Sequence, residues 1–162
     1  MKRLQTPRCF LLPVSIGDEE ALLSLYTSAQ AREFLGGALS APRAREKIAQ
    51  VLSGQDEVFA VRLKQNGAFL GLVYLNPYCG TPFCEISYEF LPEFWGQGYA
   101  CEALDECLRY CQEERRETQV VAETQQKNAA SRRLLEKLGF AQSQELVRFG
   151  ERQIVYHKKL NP

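Results

Sequence analysis

Gly96 and Gly98 sit one residue apart, between a strand-like run from Cys84 to Leu91 and a helix-like run from Gly98 to Arg115. Without a Cβ, glycine lets backbone N–H groups at a helix mouth approach a ligand closely. First-turn N–H groups have no partner inside the helix, and the helix dipole favours negative charge there. This spacing therefore reads either as a phosphate or pyrophosphate cradle or as a tight connection between two elements. A Gly-x-Gly-x-x-Gly fingerprint is excluded because position 101 is Cys101, and no Gly-Lys-Ser/Thr triplet occurs. Glu85 and Glu89 alternate with Ile86, Tyr88 and Phe90. Period two puts both carboxylates on one strand face with Ser87, where they either meet a substrate amine or are simply solvated.

A second segment, Glu123-Thr124-Gln125-Gln126-Lys127-Asn128-Ala129-Ala130-Ser131, leads into Arg132-Arg133-Leu134-Leu135-Glu136-Lys137-Leu138-Gly139-Phe140. Together the two segments resemble the GCN5-related N-acetyltransferase (GNAT) superfamily. Trp95 stands where that motif usually has Gln or Arg. With Glu102-Ala103-Leu104 and the opening Thr6-Pro7-Arg8, it is similar to the branch containing ribosomal-protein N-terminal acetyltransferases. The resemblance implies acetyl-coenzyme A as co-substrate, its pyrophosphate held by backbone amides of Gly96, Gln97, Gly98, Tyr99 and Ala100. It also implies a bulged strand that splays from its neighbour and leaves a Phe90 or Leu91 N–H free for the pantetheine arm or an oxyanion. Asn128 is then a pantetheine contact, or only a helix N-cap. Ser131 becomes a proton donor to the leaving thiolate, and Glu123, with Glu89 as second choice, a proton acceptor. Some relatives carry a Tyr where this chain has Leu135, which cannot donate a proton. The implied activity is direct acetyl transfer to a primary amine, either a protein N-terminus or a small molecule. A non-catalytic acyl-coenzyme A sensor is the alternative.

These groups need a scaffold. Cys9 to Val14 reads as a strand, and Ser15 with Asp18 opens a helix running to about Ala31. Ser40-Ala41-Pro42 starts a second helix that ends at Gly54. Val58 to Leu63 and Phe69 to Leu75 form a hairpin around Asn66-Gly67. Cys84 to Leu91, the helix after Gly98, Gln119 to Glu123, the helix Ala129 to Leu138, and a closing hairpin of Gln144 to Phe149 and Gln153 to Lys159 follow. The order predicts one α/β domain over residues 1–162, with a mixed sheet of about seven strands and about four helices, as in the GNAT fold.

Composition agrees with one such domain: 162 residues, 45% hydrophobic, 25% charged, and 20 basic against 20 acidic side chains. Zero net charge argues against general nucleic-acid binding. One His and no Cys-x-x-Cys pair argue against a metal site. No apolar run spans a bilayer and the first residues lack a secretory pattern, so a cytoplasmic protein with reduced cysteines, monomer or homodimer, is expected.

Overall fold

The computed structural model describes residues 2–161. Eight strands form one sheet: β1 (Leu4–Gln5), β2 (Cys9–Pro13), β3 (Glu57–Leu63), β4 (Phe69–Pro77), β5 (Cys84–Phe90), β6 (Gln119–Gln125), β7 (Ala141–Arg148) and β8 (Glu151–Lys159). Their order across the sheet is β1-β2-β3-β4-β5-β6-β8-β7. Four helices pack on it: α1 (Glu19–Thr27), α2 (Ala41–Leu52), α3 (Tyr99–Glu113) and α4 (Ala129–Lys137). Only β1 goes beyond the sequence reading.

Strand alternation sorts the core into two layers. Val73, Leu75, Ile86, Phe90, Val120 and Ala122 face Leu104, Cys107, Leu108 and Leu135 on α3 and α4. On the opposite face Val58, Ala60 and Leu72 meet Leu22, Leu25, Tyr26, Ile48 and Val51 on α1 and α2. The mixed sheet is thus covered by a helix pair on each side. No helix among the described residues is long and apolar enough to cross a membrane.

Helix α1 stops at Thr27, short of the expected Ala31. Arg32 is the reason. It is 6% exposed, and its guanidinium reaches Glu89 on β5. Continuing the helix would carry that residue elsewhere, so the chain leaves it in turns. At the helix start, the Asp18 carboxylate accepts Ser15 N–H (2.8 Å) and Ser15 Oγ–H (3.0 Å) and pairs with Arg62.

The decisive feature lies at the centre of the sheet. β4 and β5 pair continuously from Gly71↔Phe90 to Pro77↔Cys84 with no shift in register. β5 and β6 are parallel and pair only at Cys84↔Val120 and Glu85↔Val121. Beyond Glu85 the two strands part. The expected splay is present, while the β4–β5 register carries no bulge; register shifts occur instead at Val61/Arg62 and Gln142/Gln144.

Candidate active site

Backbone geometry decides which amides are available in the splay. Leu91 N–H donates to Leu70 O (2.8 Å), so the expectation of a free Leu91 N–H is corrected: β4 consumes it. Antiparallel pairs alternate between hydrogen-bonded and non-bonded. With Leu70–Leu91 bonded, Gly71–Phe90 and Val73–Tyr88 are non-bonded pairs. The Phe90 and Tyr88 N–H groups therefore point away from β4, into the gap left by β6. The Phe90 carbonyl points the same way and accepts the Trp95 indole N–H (2.9 Å). Trp95, in the place of the usual Gln or Arg, thus ties the glycine turn to the end of β5.

Gly71 holds the other side of β5 close. A Cβ there would collide with the Glu89 carbonyl and lie 2.7 Å from Phe90 Cα. Only glycine lets β4 and β5 approach this tightly where the gap opens.

The turn itself leaves its amides open. Gly96 and Gly98 have φ of +71° and +82°, and Gly98 is the N-cap of α3. That cap has no side-chain acceptor, and the first intrahelical bond is Glu102 N–H to Gly98 O (3.0 Å). The Tyr99, Ala100 and Cys101 N–H groups lie ahead of it, in the first turn, where a helix supplies no acceptor. Gln97 Nε2 braces the turn on Glu93 O (2.9 Å). Arg8, which sequence reasoning missed, donates to Gln97 O (3.1 Å) and Glu102 (2.7 Å) and lies 4.3 Å from the Tyr99 ring centre. It keeps a cation at the mouth of the cradle. Its only signal was the Thr6-Pro7-Arg8 tripeptide.

Asn128 caps α4: its Oδ1 accepts Ser131 N–H (3.1 Å). The N-cap reading is therefore correct, and the amide nitrogen is left for another partner. Ser131 Oγ lies 2.7 Å from Tyr88 Oη. Burial pushes the Tyr88 phenol up to about 12, so it stays protonated at neutral pH. Leu135 is 1% exposed, packed in the core. A phenol stands beside Ser131 nonetheless, that of Tyr88 on β5, a residue the sequence places only by strand alternation.

The carboxylates separate by how their oxygens are used. Glu89 is buried; it accepts Arg32 Nη1 (2.9 Å) and Tyr74 Oη (2.6 Å) and has Lys47 Nζ at 3.5 Å. Both oxygens are engaged, which suits an anchor for the 28–39 segment and not a proton acceptor. Glu123 accepts Tyr78 Oη (2.9 Å) and Arg148 Nε (2.9 Å). The Glu85 carboxylate has no hydrogen-bond or ion-pair partner among the described residues. Its carboxyl is raised above the ordinary carboxylate value, first by burial and then by the charge of Glu123, against the opposing pull of Arg148. It stands at the last β5–β6 pair, on the face shared with Ser87 and Glu89. His157 Nδ1 is engaged by Gln119 Nε2 (2.7 Å). All six cysteines are free thiols, four of them buried.

The profile of the acetyltransferase (GNAT) domain family matches residues 8–141. The chain belongs to this family of acetyltransferases. An uncharacterized protein of Bacillus subtilis, YkkB, is 35% identical over 98 residues, 59% of this chain and 57% of that protein. The chain thus spans little more than half the length of this relative. An acetyltransferase (GNAT family) from Bacillus anthracis shares the fold with a TM-score of 0.88 at 21% identity, over 98% of each chain. Ribosomal-protein-S5-alanine acetyltransferase from Vibrio fischeri shares it with a TM-score of 0.74 at 14% identity, over 98% of this chain and 97% of that one.

Proposed function

We propose that this acetyltransferase moves the acetyl group of acetyl-coenzyme A directly onto a primary amine. The observation that carries the reading is an uncapped, glycine-started helix at the mouth of a sheet that has parted. The Gly96–Ala100 amides and Arg8 hold the pyrophosphate. The Tyr88 N–H binds the arm in the gap, and Phe90 N–H stabilises negative charge on the reacting carbonyl oxygen. Asn128 offers its amide N–H groups to the same arm.

The amine loses its proton as its nitrogen bonds the carbonyl carbon. Glu85 is the open carboxylate for that proton, taken directly or through water, with Glu123 fixed beside it by Arg148 and Tyr78. When the carbon–sulfur bond breaks, the sulfur takes a proton from Ser131 Oγ, Tyr88 Oη passes its own to Ser131, and the phenol is restored from solvent as Glu85 releases the amine's proton to solvent. Each proton has a named origin and destination, and no covalent acyl-enzyme is required.

Incubation with acetyl-coenzyme A and a panel of primary amines tests this by thiol release. Amine-dependent release is expected. Tight coenzyme A binding with no release for any amine would leave a sensor in place of an enzyme.

A further inference from the structure

A cavity of about 330 Å³ opens on the α1–α2 face of β4 and β5, lined by Arg32, Lys47, Tyr74, Asn76, Ser87 and Glu89 among others. Tyr88 also lines it, and Ser87 and Tyr88 belong to the stretch of β5 that leaves β6. The cavity therefore abuts the gap from the side opposite α3 and α4.

Its charges do not cancel around Glu89. That one carboxylate faces two cations, Arg32 and Lys47. Arg32 is spent: besides Glu89, it donates to Gly37 O (2.9 Å) and Leu35 O (2.7 Å). Lys47 is not. Its Nζ is 3.5 Å from Glu89 Oε1, beyond the usual reach of an N–H···O bond. The ammonium is otherwise held against ring faces, 4.6 Å from the Tyr26 centroid and 5.6 Å from that of Tyr74. Asp56, also on the wall, is engaged by Gln50 Nε2 at 3.2 Å. Burial pulls the Lys47 ammonium below its ordinary pKa, against the pull of Glu89; an anion arriving beside it would restore the charged form and offer it a hydrogen bond.

We propose that the acceptor is a small primary amine that also carries a carboxylate, with the carboxylate seated on Lys47 and the amine directed toward the β5–β6 gap. The proposal rests on the acetyl-transfer reading above. A single compact ammonium with no free guanidinium fork suits one carboxylate group. A cavity of this volume suits a molecule of amino-acid size.

Thiol release with the standard amino acids, their α-amides and their decarboxylated amines tests the assignment. The parent should favour the carboxylate-bearing member of a series by about tenfold or more in kcat/KM, the weight of one hydrogen bond to a charged group. Lys47→Met should bring that preference close to unity while acetyl-coenzyme A affinity holds, and Lys47→Arg should keep most of it. Equal or better turnover of amides or decarboxylated amines by the parent, or an undiminished preference in Lys47→Met, overturns the proposal. Calorimetry on the coenzyme A-saturated protein gives a readout that needs no turnover, with N-acetyl amino acids compared to their N-acetyl amides. If no amine releases thiol, the transfer reading fails, yet tighter binding of the carboxylate probes that Lys47→Met abolishes still supports the seat. No carboxylate preference in that binding removes it.

Discussion

The two sides of β5 solve opposite problems. Toward α3 and the gap, binding groups are backbone amides left without partners: the first turn after Gly98, Phe90 N–H and Tyr88 N–H. Toward α1 and α2, binding groups are side chains, and most are already committed to each other: Glu89 to Arg32 and Tyr74, Tyr74 to Tyr26. Backbone amides are fixed in place by the fold and by glycine placement. A pocket walled by side chains can be altered one wall residue at a time without changing the fold.

Substitutions on the two sides should therefore fail differently. Glu89→Ala should have the largest effect, and on folding. It leaves the buried Arg32 cation without its partner, a loss of about 3–5 kcal/mol by thermal or denaturant unfolding. A variant that keeps its stability but loses turnover would return Glu89 to catalysis. Glu85→Gln should leave the fold intact and lower kcat/KM by about 10²-fold or more. Unchanged kinetics there, with Glu123→Gln inactive, would move the proton acceptor to Glu123. Gly98→Val should cost about 1–3 kcal/mol of stability, because φ of +82° strains a β-branched residue, and should also weaken coenzyme A binding about tenfold. The loss falls on both folding and binding. The positive φ, and an Arg8 guanidinium 3.3 Å from the new Cβ, divide it. Unchanged affinity in calorimetry would show the cradle to be misplaced.

The smallest effect is on pH dependence. A base works when ionised, so kcat/KM falls as pH drops through the Glu85 pKa. Burial and Glu123 raise that pKa, so the limb lies above the ordinary carboxylate value of about 4.3. Glu123→Gln removes the neighbouring negative charge and releases Arg148, and both changes favour ionised Glu85. The acid limb should move to lower pH, measured with one acceptor so that the amine's own titration is common to both profiles. A limb moving upward would break the assignment.

Most of the fold was legible because its signals are local. Asn66-Gly67 set a hairpin, Pro42 and Gly54 bracketed α2, and alternation on β5 put Glu85, Ser87 and Glu89 on one face. The glycine turn was legible for the same reason: two glycines before a helix define it. β1 was not, since two residues carry no periodicity. Arg32 was not, because its burial depends on a carboxylate 57 positions away. The carboxylate roles also stayed hidden. Glu89 and Glu85 look alike in a strand pattern, and only the partners brought by α2, β4 and the 28–39 segment separate a tied-off anchor from an open base. Leu135 leaves its own position without a phenol, whereas Tyr88 sets one beside Ser131 from another element.

Amide chemical-shift mapping with unacetylated coenzyme A tests the central claim most directly, because it reads the backbone cradle without requiring turnover. Saturating ligand should move the amide resonances of Gly96 through Cys101, with Tyr88 and Phe90, by far the most, while Arg32 and Lys47 shift little. Perturbations centred on the cavity of the α1–α2 face, with the α3 first turn silent, would contradict the account.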